Sequence, residues 1–526
     1  MEIRRTINHG SILNVTRLLA TRSRNDALLF LVIFMAVFGL TPLLVLAGAS
    51  IGFGMLIEGL LALIAAALVV RWPVLGFWIV AGCALLIEQN PLTVNANILT
   101  DQLYIFAWPP RLTGLIERPI GFFMLFIFLG FVFLRLVTRQ RVLQGGKLFL
   151  PFLCFLLCIA VGAVHGLTSG GTLKVVVLEL RPLWYLFLSY LLAHNLVAHK
   201  SHIRTFFWIV ILSAGVKGVQ GVYIFLVVLH GNLAGQNEIM SHEESFFFVA
   251  FLLLLVLFCL HSRYRPQLYA VLLVLPFALV ALVANQRRAD YIALLVGIGV
   301  AWPLVFQVRP RARKPLIVSA LIIVTLGTGY VALFSHSEGS LASPARAIVS
   351  IINPNTADAR DAASNLYRTI EDDDLKYTVK QNPLLGLGFG KPFLQPKLLP
   401  NILSLDPYYN YIPHNTIYWI WMRLGPLGYL AFWYLIGAII VRGCLIVRRL
   451  QDKYLQLVAI YIVSVTFMEI IVAYADYQLF FYRNVIYLGF LAGVLLKLPT
   501  LDEKKETVIH ETAHGVSQPA SSNVGS

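Results

Sequence analysis

Apolar residues in this chain arrive in unbroken blocks, not in alternation and not as one-sided stripes. Blocks such as 27–49, 119–137 and 316–334 run to about 18–25 residues, long enough to cross roughly 30 Å of hydrocarbon as a helix. The strands of a closed barrel would alternate polar and apolar positions, and these blocks do not. Backbone groups in hydrocarbon must bond to one another, so helices are the expected elements. Spans are expected near 27–47, 50–70, 73–89, 119–138, 148–166, 174–196, 204–229, 245–261, 267–285, 289–306, 315–335, 416–441, 455–474 and 477–497, about 12–14 in all. Composition agrees, with 58% hydrophobic and 13% charged residues, where a soluble domain carries roughly 45–50% and about 25%.

Basic residues before the first block (Arg4, Arg5, Arg17, Arg22, Arg24) would also suit a secretory signal. The block is longer than a signal core, and a second membrane-length block follows at once, so residues 1–26 read as a basic cytoplasmic terminus. The cysteines, Cys83, Cys154, Cys158, Cys259 and Cys444, lie within or at the ends of apolar blocks with no zinc-like spacing. No metal and no cofactor is expected.

Charge then orients the spans. With the amino terminus inside, the cytoplasmic connections carry Arg71; Arg135, Arg139, Arg141 and Lys147; Lys200 and Arg204; Arg263 and Arg265; Arg309, Arg311, Arg313 and Lys314; and Arg442, Arg448, Arg449 and Lys453. Most alternate connections (48–50, 165–172, 236–245, 474–476) are poor in Lys and Arg. The net charge of +15 is therefore mainly a topology signal, with anionic inner-leaflet lipids as partners and no nucleic acid implied. The longest connection, 336–413, falls outside, and within it 357–381 reads as an amphipathic helix stopped by Asn382-Pro383. Residues 498–526 read as a disordered cytoplasmic tail.

Four features carry candidate chemistry, all at the outer face on this topology. Arg181 sits roughly 10 Å into its span, where an arginine is kept only with a partner or a wet cavity; a pair with Glu179 or Glu244 is the plain alternative. Arg287-Arg288 breaks the charge bias on an outer turn. The pair suits an anion gripped bidentately, although Asp290 can also neutralise one of them. Glu243 and Glu244, beside His242, offer a carboxylate base, while such a cluster is more often a solvated loop. Last comes Asn382-Pro-Leu-Leu-Gly386-Leu-Gly388-Phe-Gly390, then His414-Asn415 and Leu424-Gly425-Pro-Leu-Gly428. The glycines do not have P-loop spacing, and a lone histidine at a helix start more often caps or packs.

As an ordered set these residues resemble the O-antigen ligase and O-antigen polymerase family. The set comprises an arginine in a mid-chain span (Arg181), Arg287-Arg288-Ala289 at a span entry, Asn382 to Gly388, His414-Asn415 and Leu424 to Gly428. The likeness covers about 275–445. It implies an all-α polytopic membrane protein with one large extracytoplasmic loop, of the GT-C-like glycosyltransferase architecture: transmembrane helices within 27–335, the loop at 336–413, and the last spans within 414–497. It further implies an inverting glycosyltransferase of the bacterial inner membrane that needs neither metal nor nucleotide. The donor would be a glycan on undecaprenyl diphosphate, and the acceptor a growing saccharide or lipid A core. On this likeness Arg181 and Arg288 match diphosphate-binding arginines and His414 the histidine acting on the acceptor. Arg287, Arg368, Asn415, Glu243 and Glu244 are expected beside the substrates. In departure from the family, Arg287 replaces a small serine and Asp290 a small residue. The rival reading is a transporter or flippase for an anion or a lipid-linked glycan; it calls for midplane charges and repeated halves, which the sequence lacks.

Overall fold

The computed structural model describes residues 53–514 except 90–104, 108–116, 141, 234–237, 261–263, 311–312, 338–341, 357–358, 401 and 403–406. The expected span at 27–47 and the basic terminus 1–26 lie outside the described residues. Two compact units emerge, 1–76 and 77–526. In the first, α1 (Phe53–Arg71) ends on a basic residue; α2 (Pro73–Leu86), opened by Pro73 at the helix position where a missing N–H costs nothing, starts in the last residues of the first unit and runs on into the second.

The second unit holds α3 (Pro119–Val137), α4 (Phe149–Thr168), α5 (Leu173–Leu196), α6 (Lys200–Tyr223, continued by a π turn to Val228), α7 (His242–Leu260), α8 (Arg265–Ala284) and α9 (Arg288–Val308). They are followed by α10 (Arg313–Phe334), α11 (Ser343–Ile352), α12 (Ala359–Gln381), α13 (Thr416–Arg449), α14 (Lys453–Ala475) and α15 (Tyr482–His514). Ten of these, α3 to α9 and α13 to α15, are long and apolar enough to cross a membrane, so the chain is an all-α multi-pass membrane protein. No strand occurs among the described residues. α15 runs past 497, where a disordered tail was expected, because Leu501 to Glu506 is a run of good helix formers.

Close approach of small residues sets the packing. Gly489 and Gly493 lie four apart on α15, and a Cβ at Gly493 would fall 2.6 Å from the carbonyl oxygen of Tyr190 on α5. Only glycine lets the two backbones meet so closely, the usual device where apolar lipid offers no hydrophobic drive for helix association.

Basic residues tie the helix ends at one face of the unit. Lys200 pairs with Asp452, Arg309 donates to the Leu260 carbonyl, and Arg204 lies over the rings of Tyr264 and Tyr454. At the other face, helix ends bring together the 238–242 turn, the 285–288 turn, Asp476 and His414.

A strap of the 336–413 connection returns into the helices. α13 carries Pro426, which has no N–H to give, and Gly425 departs from helical geometry, so the carbonyls of Met422 and Arg423 are left open. Leu387 N donates to Met422 O at 2.7 Å and Gly388 N to Arg423 O at 3.2 Å. Gly386 (φ 72°) and Gly388 (φ 76°) are required here, since a Cβ would stand 2.6 Å from Met422 O and from the Gly166 backbone respectively. A buried ion pair locks the strap. Arg423 meets Glu179 at 2.6 Å, both side chains being 0% exposed, and it also donates to the carbonyls of Gly388, Lys391 and Tyr411. Glu179 accepts in addition from Gly390 N at 2.6 Å and from the Trp419 indole at 3.2 Å.

Removing one partner of such a pair strands a buried charge. Arg423→Met is expected to destabilise the protein by about 3–5 kcal/mol, read as a lower unfolding temperature in detergent. The double variant Glu179→Gln, Arg423→Met should recover part of that loss. Equal stability of the wild type and Arg423→Met would show that the pair does not hold the strap.

Candidate active site

Polar residues of α12 recur at 361, 364, 365, 368 and 371, the spacing that puts them on one helical face. That face meets the turn between α8 and α9. There Gln286 adopts a left-handed conformation (φ 53°), in the place after a helix end where glycine is usual, and turns the chain so that Arg287 and Arg288 open α9. Asn285, 0% exposed, accepts from the backbone N–H of Ile239 (3.1 Å) and Met240 (2.9 Å), which pins the acidic turn alongside.

These elements enclose a cavity of about 50 Å³ lined by Gln286 to Asp290, Asp361, Ser364, Arg368 and Asp476. Its three arginines differ in their partners. Arg287 meets Glu238 at 2.6 Å and Asp476 at 3.9 Å. His242 bridges the same two carboxylates at 2.8 and 3.2 Å. Burial alone would raise the Asp476 carboxyl, yet His242 and Arg287 hold it well below the usual carboxylate range. Arg288 reaches Asp361 (3.3 Å), Ser350 (3.3 Å) and Asn365 (3.0 Å). Arg368 has no ion pair among the described residues, and its buried Nε has no hydrogen-bond partner. Burial pushes its pKa down and Arg287 and Arg288 add to that, against Asp476, but a guanidinium stays charged throughout. A half-buried cation without an ion pair, facing a cavity, calls for an anion.

His414, two residues before α13, meets the next turn of the α12 face at Glu371. Both oxygens of Glu371 stand 3.2 Å from its Nδ1, and Glu371 also accepts from the His414 backbone N–H at 2.9 Å. A carboxylate at Nδ1 sets the tautomer with the lone pair on Nε2, the form a general base needs. The rings of Tyr367 and Tyr477 flank the imidazole at 5.5 and 5.4 Å. The histidine is 24% exposed at its side chain, whereas Glu371 is 1% exposed.

Other expected residues sit elsewhere. Arg181 bonds the Tyr482 hydroxyl at 2.7 Å and pairs with Glu117 at 3.6 Å, and not with Glu179 or Glu244. Tyr482 follows Phe481, whose ring meets Tyr477, so Arg181 stands behind the 477–482 turn and is not among the cavity residues. Glu243 and Glu244, expected beside the substrate, are 0% and 1% exposed, held by Arg483 at 3.2 and 2.6 Å, with Lys217 also on Glu244. They start α7, and the helix carries them inward, away from the cavity. Asn415 is the cap of α13: its Oδ1 accepts from Tyr418 N, and its amide donates to Asp372.

Sequence reasoning missed Glu371, Asp361 and Asp476. The 3-and-4 spacing along α12 was a signal for the first two. Asp476 looked like an ordinary turn residue, and nothing local marks it.

The profile of the O-antigen ligase family matches residues 271–433, a stretch that runs from within α8 into α13 and contains all three cavity arginines and His414. No curated protein matches the chain.

The paired state of Asp476 has a pH signature. Its carboxyl is depressed in the folded protein, so its stabilisation is complete above the unfolded value of about 3.9 and is lost as pH falls toward the folded value. Asp476→Asn should therefore unfold at a lower temperature than wild type at neutral pH, and the difference should shrink once pH drops below about 4. A gap that stays constant with pH would rule out this ion cluster as the source.

Proposed function

Because the chain belongs to the O-antigen ligase family through residues 271–433, we propose that it transfers a glycan from undecaprenyl diphosphate to a hydroxyl acceptor. The acceptor is a growing polysaccharide or a lipid A core, and the site opens at the outer face of a bacterial inner membrane. The carrying observation is Arg368, a cation without a carboxylate of its own, facing the same cavity as Arg288 and one helical turn from the His414–Glu371 pair.

In this reading Arg288 and Arg368 grip the diphosphate, and the charge that grows on the leaving oxygen is met by guanidinium groups already in place. Nε2 of His414 takes the proton of the acceptor hydroxyl. The acceptor oxygen bonds to the sugar's anomeric carbon as the bond from that carbon to the phosphate oxygen breaks, and a single displacement inverts the centre. Glu371 stabilises the imidazolium formed. Arg287 is committed to Glu238 and Asp476 and holds the cavity's floor. Arg181 positions the 477–482 turn through Tyr482. Asn415 caps the helix that presents His414, and Glu243 with Glu244 anchors the base of α7. The basic residues at the opposite face support a cytoplasmic placement of that end of the second unit.

With purified protein and an undecaprenyl-diphosphate-linked glycan, His414→Ala should lower kcat by about 10²–10⁴-fold. Arg368→Lys should raise the donor KM, because an ammonium cannot reproduce the bidentate grip. Glu371→Gln should reduce kcat by less than His414→Ala. Transfer at the wild-type rate in either His414→Ala or Arg368→Ala would sink the proposal.

A further inference from the structure

Asp290 stands out among the cavity residues. It sits in the first turn of α9 and lines the cavity, 2% exposed, and its Oδ1 is buried without a hydrogen-bond partner. None of the ion pairs formed by the described residues includes it. The other two acids of the cavity are spoken for, Asp476 by His242 and Arg287, and Asp361 by Arg288. Charged groups face Asp290 from each neighbouring element: Arg287 from its own turn, His242 from α7, Asp476 from the end of α14. Deeper in α14 lies Glu469, also 2% exposed and with its Oε1 unpartnered.

An ionised carboxylate in that position would be a buried charge with no donor at Oδ1 and a second acid below it. It would also repel the anion that Arg288 and Arg368 attract. Both difficulties vanish if the group carries a proton, for a carboxylic acid is a hydrogen-bond donor and an anion is what such a donor seeks.

Resting on the functional reading above, we propose that Asp290 meets the lipid diphosphate as a neutral acid and donates a hydrogen bond from its O–H to a phosphate oxygen. It is then a third element of the grip, alongside the two guanidinium groups. It adds a donor without adding positive charge, so the cavity need not hold a fourth cation against the repulsion of the other three. No proton leaves Asp290 during transfer; the acceptor's proton goes to His414.

The test compares donor affinities, with the lipid-diphosphate-linked glycan as probe and the protein in nanodiscs. Asparagine keeps an N–H donor at the same place, so Asp290→Asn should bind within a few-fold of wild type. Asp290→Ala should bind about 10–100-fold more weakly, the usual cost of one hydrogen bond to a charged group. Three outcomes overturn the inference: alanine binding as well as wild type, asparagine binding as weakly as alanine, or both variants binding more tightly, which would mark Asp290 as an ionised, repelling group. Should either variant fail to fold, infrared difference spectra of the wild type decide. Donor binding must shift a carboxylic acid C=O band, and no such band at all overturns the proposal. A wild-type protein that binds no donor defeats the transferase reading, whereas a binding wild type with the wrong variant order defeats only the role of Asp290.

Discussion

The contact between Glu179 and Arg423 governs how the rest of the 336–413 connection is placed. Two opposite charges with no exposed surface are tolerable within a membrane bundle only if nearly every polar atom around them is occupied. Here the surrounding donors and acceptors are supplied mostly by the strap itself: the amide of Gly390 and the carbonyls of Gly388, Lys391 and Tyr411. The pair and the strap therefore satisfy each other, and neither is stable in this position alone. The strap at Gly386 to Gly390 is fixed just after α12 ends, and His414 and Asn415 hydrogen-bond back to Glu371 and Asp372, so α12 is held across the arginine turn with its polar face inward.

The cavity shows why an anion site built from arginines also contains acids. Three guanidinium groups converging without counter-charge would repel one another, and their long side chains would not hold one geometry. Glu238 and Asp476 fix Arg287, and Asp361, Ser350 and Asn365 fix Arg288. Rigidity is obtained by spending part of the positive charge. Arg368, half-buried on α12, keeps its charge uncommitted to any ion pair among the described residues. The same division of labour appears at His414, where the buried Glu371 takes one ring nitrogen so that the other is presented in a defined state.

The helical class and the positions of most spans were legible because block length and hydropathy act locally: ten helices among the described residues are long and apolar enough to cross, against the 12–14 expected, and they fall close to the apolar blocks. The anomaly at Arg287-Arg288 was legible too, since it broke a charge pattern that most of the short outer turns obeyed. Partner choice was not. The rule that an intramembrane arginine needs a reason singled out Arg181, yet it applies equally to Arg423 and Arg483, and both of these satisfy structural carboxylates. The rule detects the cost of burial and says nothing about which acid, hundreds of residues away, meets it. Arg368 was the least marked of the candidates by sequence, because its meaning lies in a missing partner, and a missing partner is visible only when the neighbours are in place.

Proline at 426 has a consequence for how this architecture can vary. By withholding one amide hydrogen it creates an open carbonyl on a lipid-embedded helix, and that acceptor acts as an address to which only a glycine-rich segment can be delivered. Loop and helix thus form a single exchangeable cassette. A chimera that swaps the external segment but keeps a foreign helix in place of α13 would lose its docking point, whereas exchanging both together preserves the junction and leaves the polar face of α12 free to diverge.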